Sequence, residues 1–259
     1  MEEWAGKHFS LEGVEFVTHW TRSSAPGSFT IVKPTYMVEV YRDLLSGYPE
    51  PRIFELGIYQ GGSVALIALL AKPRKLVAVE LEETPVEPLL QFVRDRGLEA
   101  VVRPHFGVDQ ADKPRLTQII ADELDGEPLD LVIDDASHLY GPTVASFEVL
   151  FPRLRPGGAY VVEDWTAQDI LAKAKSLVLQ DPESPAHEQF REELAELPGT
   201  APISRIALEL ALACAQSGDA IEDVVLTRHW LVVRRGDQEL DPTSFRLQDL
   251  YEDHHRLLT

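Results

Sequence analysis

Short apolar runs alternate with longer amphipathic stretches through the first two thirds of the chain. The apolar runs have strand length and predict five strands, at residues 52–56, 76–80, 100–106, 129–134 and 159–163. The stretches between them predict crossover helices at residues 62–70, 86–96, 116–122 and 143–154. This alternation is typical of βαβ units, whose right-handed crossovers place helices on both faces of a parallel sheet. The pattern therefore predicts a doubly wound, Rossmann-like α/β fold.

Three further regions surround this core (residues 51–165) and complete a single predicted domain of 259 residues. In an N-terminal helical segment, residues 1–50, apolar positions from Met37 to Leu45 predict a helix with Pro34 at its first position. Residues 166–221 predict a helical insertion, with helices near 167–179, 188–196 and 203–215. In the last part, residues 222–259, strands at 223–227 and 230–235 predict an antiparallel hairpin, followed by a helix.

Composition narrows the classes of function. The formal net charge of −19 argues against a nucleic-acid binder, which needs a basic face to displace counterions from phosphates. Cys214 is the single cysteine, so disulfides are excluded within the chain and a reducing compartment is favoured. The first ten residues lack the apolar stretch of a signal peptide, and no run reaches the roughly 18 apolar residues of a membrane helix. We therefore expect a cytoplasmic protein with a small-molecule partner, without nucleic-acid or membrane partners.

A glycine-rich loop, FELGIYQGGS at residues 54–63, follows the first predicted strand and leads into an apolar helix. Gly57 permits a tight turn beside a ligand, and Gly61 lets the helix N terminus approach an anion. Glu80 ends the second predicted strand, where its carboxylate can accept hydrogen bonds from both hydroxyls of a ribose. Tyr59 stands where a dinucleotide-binding loop carries its middle glycine, which disfavours NAD.

Acidic residues end two neighbouring strands of the predicted sheet, in the segments VIDDASH (132–138) and YVVEDW (160–165). The four carboxylates are Asp134, Asp135, Glu163 and Asp164. We expect them to converge at the edge where open α/β sheets bind ligands, and they would repel one another without a cation or protons. Magnesium prefers such oxygen ligands, whereas His138 is better suited to accept a proton.

These motifs resemble a known family over residues 53–165. ExGxxxGGS resembles motif I of methyltransferases, and DDxSH followed by PGGxYVxEDW resembles the metal-dependent sugar O-methyltransferases of the mycinamicin and macrocin type. The resemblance implies the class I methyltransferase fold, S-adenosylmethionine as cofactor and Mg²⁺ or another hard divalent cation. It also implies a sugar hydroxyl as acceptor, in antibiotic biosynthesis.

The resemblance also implies roles for individual residues. The metal ligands would be Asp135, Glu163 and Asp164, with His138 as the general base. The implied cofactor-binding residues are Glu55, Gly57, Tyr59, Gly61, Ser63, Glu80, Asp109, Gln110 and Asp134. Within that set Asp134 is interpreted as structural, because strand alternation turns its side chain away from that of Asp135. The loop after the third strand is similar to the family's adenine-edge loop, although Val108 stands where a glycine is common.

The acceptor is specified only by class: a deoxysugar, as a nucleotide sugar of the TDP-rhamnose type or on a finished glycoside. The helical insertion and the N-terminal segment with Trp4, His19 and Trp20 are the expected acceptor surfaces, because they lie outside the cofactor fold. We also expect a homo-oligomer. Two alternatives remain open. A metal-dependent oxygenase of the cephalosporin hydroxylase-like group would typically need two histidines beside a carboxylate, and only His138 is evident. A non-catalytic adenosylmethionine-binding protein would not need a base beside a metal.

Overall fold

The computed structural model describes residues 6–19, 22–170, 173, 201–254, 256 and 258. The strands are β1 (His8–Leu11), β2 (Val14–Thr18), β3 (Ser28–Ile31), β4 (Arg52–Leu56), β5 (Lys75–Glu80), β6 (Val102–Phe106), β7 (Leu129–Asp134), β8 (Leu154–Glu163), β9 (Ile221–Leu226) and β10 (Trp230–Arg235). The α-helices are α1 (Tyr36–Ser46), α2 (Gly62–Ala71), α3 (Glu87–Asp95), α4 (Lys113–Leu124), α5 (Tyr140–Leu150) and α6 (Arg205–Gln216). Short 3₁₀ helices lie at Phe151–Arg153 and Leu247–Leu250.

A seven-stranded sheet with the order β6-β5-β4-β7-β8-β10-β9 forms the centre of the protein. β4 to β8 are parallel, and β10 pairs antiparallel with both β8 and β9. The prediction of a doubly wound, mostly parallel sheet with an antiparallel C-terminal hairpin is therefore confirmed. β5 and β7 lie on opposite sides of β4. The strand order therefore changes direction at β4. Such a point opens a ligand-binding crevice at the carboxyl ends of the strands.

The central strands are buried on both faces, which explains their nearly continuous apolar runs. Alternate residues of β4 belong to different cores: Ile53 packs with α1, α2 and the N-terminal strands, and Phe54 packs with α4, α5 and α6. α2 is buried over most of its surface, because it lies against the sheet and also contacts β3, α1 and α3. None of the described helices combines the length and the apolar character needed to cross a bilayer.

The N-terminal segment is not the helical segment that the sequence predicted. β1, β2 and β3 form a separate three-stranded sheet before α1. Aromatic contacts join this sheet to the main core: Phe16 stacks on Phe29, and Phe29 meets Phe92 of α3 edge-on at 5.6 Å between ring centroids. α1 itself begins at Tyr36 with Thr35 at the N-cap, so the placement of Pro34 at the first helical position was wrong.

The regions after β8 agree with the predictions only in part. α6 confirms the third helix of the predicted insertion, whereas the helix at 188–196 and most of that at 167–179 lie outside the described residues. Trp4 and Trp20 also lie outside them. After β10, the described residues form no α-helix, only the short 3₁₀ helix at Leu247–Leu250, so the predicted C-terminal helix was wrong.

Candidate functional site

The glycine-rich loop between β4 and α2 is shaped by its neighbours in the fold. Gly57 has a φ of +95°, and a Cβ there would lie 2.3 Å from the carbonyl oxygen of Asp135. A Cβ at Gly62 would lie 2.1 Å from the carbonyl oxygen of Thr30 in β3. Both positions therefore require glycine, because the backbone of another segment approaches each of them closely. Gly61, with a φ of +79°, forms the N-cap of α2.

Glu80 holds this loop from the end of β5. Its Oε2 accepts hydrogen bonds from the backbone N–H groups of Ile58 (2.9 Å) and Tyr59 (2.7 Å), and its Oε1 accepts one from Glu82 (3.2 Å). Tyr59 has a φ of +48°, which bulky residues rarely adopt and which costs on the order of 1 kcal/mol. The carboxylate of Glu80 therefore stabilises a strained backbone conformation beside the crevice.

A cavity of about 400 Å³, here called the loop cavity, lies between this loop and the ends of β5, β6 and β7. It is lined by Gly57, Tyr59, Val79, Glu80, Leu81, Val108, Asp109, Gln110, Asp135, Ala136, Ser137, Leu139 and Pro142. Five of the predicted cofactor-binding residues are therefore brought together here: Gly57, Tyr59, Glu80, Asp109 and Gln110. Four others, Glu55, Gly61, Ser63 and Asp134, do not line this cavity.

Glu55 is fully buried in β4, and neither of its carboxylate oxygens has a hydrogen-bond partner among the described residues. Burial raises its pKa to about 8, although Ser63 and Lys33 act in the opposite direction. A buried carboxyl group without a partner is costly unless it is protonated or meets a positive charge.

Asp134 points away from Asp135, as strand alternation predicted. Both of its oxygens accept from the amide nitrogen of Gln110 (2.8 and 2.9 Å), and Oδ2 also accepts from the hydroxyls of Tyr160 (2.8 Å) and Ser146 (3.3 Å). Burial raises its pKa to about 6, opposed by Tyr160 and Gln110. Asp134 lines neither of the cavities described here, which agrees with the interpretation of this residue as structural.

A second cavity of about 310 Å³, here called the acidic cavity, adjoins the first. It is lined by Thr30, Ile31, Val32, Lys33, Ile58, Tyr59, Gln60, Gly62, Ser63, Asp135, Ala136, His138 and Asp164. Tyr59, Asp135 and Ala136 line both cavities, so a ligand in one would lie beside a ligand in the other.

Asp135, His138 and Asp164 each offer a ligand atom within 4.8 Å of the others, a grouping that could hold a metal ion. Nε2 of His138 lies 3.9 Å from Oδ1 of Asp135. His138 and Asp164 have φ values of +52° and +47°, so backbone strain is concentrated at this group. Glu163 does not belong to the group. The expected convergence of four carboxylates is therefore only partly right: Asp134 faces away from Asp135, and Glu163 is joined to Asp135 through Lys33.

Lys33 and Tyr41 hold Glu163, and sequence reasoning missed both contacts. Lys33 Nζ lies 2.6 Å from Oδ2 of Asp135 and 2.6 Å from Oε2 of Glu163, while the Tyr41 hydroxyl donates to Oε1 of Glu163. Burial by itself lowers the pKa of Lys33, but the Asp135 and Glu163 carboxylates raise it well above its usual value. A lone lysine within the otherwise uncharged stretch FTIVKPTYM was the available signal.

The β9–β10 turn brings a second histidine close to Asp164. The carbonyl oxygen of His229 accepts from the backbone N–H of Asp164 (3.0 Å), and His229 Nε2 lies 2.6 Å from the hydroxyl of Tyr36. Trp165 donates its indole N–H to the carbonyl of Thr227 in the same turn (2.9 Å). These aromatic side chains form a rim beside Asp164. His19, by contrast, accepts a hydrogen bond from the backbone of Arg22 (3.1 Å) and does not line either cavity.

Comparison with known proteins finds similarity over this region. Residues 54–165 match the family model described as a methyltransferase domain. Over 74 residues the chain is 46% identical to the 8-demethyl-8-alpha-L-rhamnosyl tetracenomycin-C 2'-O-methyltransferase of Streptomyces olivaceus, which covers 23% of this chain and 20% of the relative. The chain therefore matches about a fifth of the length of that relative.

Two solved structures share the fold over most of this chain. The MycE methyltransferase of the mycinamycin pathway, in complex with Mg, SAH and mycinamycin VI, has a TM-score of 0.50 at 22% identity, covering 79% of this chain and 49% of that one. The O-methyltransferase TomG of Streptomyces achromogenes, in complex with SAM, has a TM-score of 0.51 at 19% identity, covering 80% of this chain and 82% of that one. Residues 54–165 therefore match a methyltransferase domain, and the chain shares the fold of these solved methyltransferases.

Proposed function

We propose that this chain is an S-adenosylmethionine-dependent, divalent-metal-assisted O-methyltransferase that acts on a sugar hydroxyl in antibiotic biosynthesis. The observation that carries the proposal is the junction of the two cavities. The loop cavity, of a size suited to a nucleoside, meets the acidic cavity at Asp135, beside a histidine that can accept a proton. Transfer between two bound molecules needs such adjoining sites, because positioning can lower the barrier by about 7 kcal/mol or more.

The loop cavity would hold S-adenosylmethionine. Glu80 would accept from the ribose hydroxyls, while Asp109 and Gln110 would lie along the adenine. Gly61 and Ser63, at the N terminus of α2, would face the methionine carboxylate, and the unpartnered Glu55 fits an ammonium group. Bound S-adenosylmethionine supplies an electrophilic methyl group.

The acidic cavity would hold the metal and the acceptor. Asp135 and Asp164 fit a hard divalent cation, with Glu163 as the third ligand once Lys33 releases it. A bound divalent cation lowers the pKa of a coordinated hydroxyl group. His138 would take the proton of that hydroxyl, since its imidazole lies beside the proposed ligands.

The acceptor would be a deoxysugar, on a nucleotide sugar of the TDP-rhamnose type or on a finished glycoside. The Streptomyces olivaceus relative is named as a 2'-O-methyltransferase of a rhamnosyl tetracenomycin, and MycE was solved with mycinamycin VI. In this chain the aromatic rim of Tyr36, Trp165 and His229 can pack against the apolar face of such a ring. A homo-oligomeric state and a cytoplasmic location stay predictions.

An assay tests the proposal directly. We expect mass spectrometry of a deoxysugar panel incubated with the protein, S-adenosylmethionine and Mg²⁺ to show the addition of one methyl group, and EDTA to abolish it. Calorimetry should show binding of S-adenosylhomocysteine and no binding of NAD. Tight NAD binding without S-adenosylhomocysteine binding would contradict the cofactor assignment. Turnover that is indifferent to EDTA would contradict the metal.

The oxygenase alternative is not favoured by the geometry. Non-haem iron oxygenases typically use two histidines and one carboxylate, whereas the described group contains two carboxylates and His138. His229 is directed to Tyr36 instead.

A further inference from the structure

We propose that Lys33 is a resident counter-cation of the acidic cavity: it holds Asp135 and Glu163 while no divalent cation is bound, and a divalent cation displaces it. This inference rests on the metal site proposed above. It adds a residue from outside the methyltransferase domain, since Lys33 lies between β3 and α1 and the matched segment begins at residue 54.

The contacts leave little room for both cations on the same oxygens. The Lys33 ammonium bridges Oδ2 of Asp135 and Oε2 of Glu163 at 2.6 Å each, and Tyr41 occupies the other oxygen of Glu163. With Lys33 in place, both oxygens of Glu163 are therefore engaged. Asp135 keeps Oδ1 directed towards His138, in the group that includes Asp164.

Burial explains why the protein needs a cation of its own here. Glu163 is 3% exposed and Lys33 is 7% exposed. An anion buried to this degree is strongly destabilising unless it is paired, and Lys33 provides the pairing in the absence of metal. The same pairing sets up competition, because a divalent cation on these oxygens would lie within a few ångströms of the ammonium and repel it.

Lys33 also has a route out of the pair. Lys33 lines the acidic cavity, and lysine carries a compact charge on a flexible four-carbon stem. The ammonium can therefore move into the cavity while the backbone between β3 and α1 stays in place. An ion can first meet Asp164 and Oδ1 of Asp135, and then take Glu163 as Lys33 leaves.

Binding of Mn²⁺ alone, measured by electron paramagnetic resonance without S-adenosylmethionine, tests the competition. For Lys33→Met we expect a dissociation constant lower by about tenfold or more, because the competing charge is gone. The matched control is Lys72→Met, which removes an exposed lysine that pairs with Glu12, and it should change the constant by less than about twofold. Binding by Lys33→Met alone, with none by the parent, would also support the proposal.

The failures are distinguishable. Equal or weaker Mn²⁺ binding by Lys33→Met, with normal binding by the parent, overturns the role of Lys33 and leaves the metal site standing. No Mn²⁺ binding by the parent or by Lys33→Met overturns the metal site and this inference together.

A measurement on the parent protein covers the case in which Lys33→Met fails to fold. Reductive methylation with formaldehyde, followed by peptide mass spectrometry, reports how accessible each lysine is. Without metal, Lys33 should react severalfold more slowly than Lys72. Saturating Mg²⁺ should raise the rate at Lys33 severalfold and leave Lys72 unchanged. If Mn²⁺ binds but Lys33 stays equally protected with Mg²⁺, displacement does not occur and the proposal is wrong.

Discussion

Asp134 and Asp135 are consecutive residues at the end of β7, yet they lie in opposite environments. Asp134 accepts hydrogen bonds from neutral amide and hydroxyl groups, and its carboxylate is closed off from both cavities. Asp135 lines both cavities and contacts Lys33, with His138 beside it. A buried carboxylate whose hydrogen bonds are satisfied by uncharged partners gives rigidity, whereas charge pairs beside a cavity can exchange partners. One side of β7 therefore anchors the site, and the other side can carry the chemistry.

The largest effect expected from this comparison is on catalysis by Asp135→Ala. Activity should fall by about 10²-fold or more, since the proposed metal loses an anionic ligand, and part of the loss should return at high Mg²⁺. Initial rates across a Mg²⁺ series measure both effects. A folded Asp135→Ala variant with parental activity would contradict the proposal that Asp135, unlike Asp134, takes part in catalysis.

His138→Ala should slow the reaction by about 10²- to 10⁴-fold and should not respond to added Mg²⁺, because every proposed ligand remains. Its rate should rise with pH as hydroxide or ionised acceptor replaces the missing base. The control is His254→Ala, at an exposed histidine that pairs with Glu252, and it should retain parental rates. Rescue of His138→Ala by Mg²⁺ as strong as that of Asp135→Ala would instead make the histidine a ligand.

On the other side of β7, Asp134→Ala should act mainly on stability. The change leaves the buried donors of Gln110 and Tyr160 without their acceptor, which costs about 2–4 kcal/mol of unfolding free energy. Urea unfolding, with and without Mg²⁺, measures the loss. The loss should be the same in both conditions, because Asp134 does not face the proposed ion. If Mg²⁺ restored the lost stability, Asp134 would face the proposed ion as Asp135 does.

At low pH, Glu55→Gln should change stability least among these substitutions, and its effect should depend on pH with a known sign. The pKa of Glu55 is raised from 4.5 to about 8, so between these values the folded state keeps a proton that the unfolded state has lost. The parent should therefore lose stability relative to Glu55→Gln as pH rises through this window, by at most about 1.4 kcal/mol per pH unit. Thermal unfolding of both proteins from pH 5 to about pH 8 tests this. A constant gap between them would mean that Glu55 is not protonated in the folded protein.

Sequence reasoning found the central sheet because its strands are buried on both faces and read as apolar runs. It missed the N-terminal sheet, since His8–Leu11 and Ser28–Ile31 are only four residues long. β1 is stabilised by pairing with β2, and β3 by contacts with α2 and α3. At the site, the motifs in the sequence predicted Asp135 and Asp164 as metal ligands. Sequence reasoning missed Lys33 because the partners of this residue lie 102 and 130 positions away in the chain. A pattern within one segment carries no information about such a pairing.

The contact at Gly62 has a consequence for how the protein assembles. Because the carbonyl of Thr30 occupies the space where a Cβ would be, β3 sits directly on the first turn of α2. Lys33 lies three residues after Thr30. The position of β3 on α2 therefore determines whether the Lys33 ammonium reaches Asp135 and Glu163. Local βαβ contacts form more readily than distant ones, so we expect the N-terminal sheet, although it precedes the main sheet in the sequence, to dock last. The Lys33 ammonium would then pair with Asp135 and Glu163 only after the rest of the acidic cavity has formed.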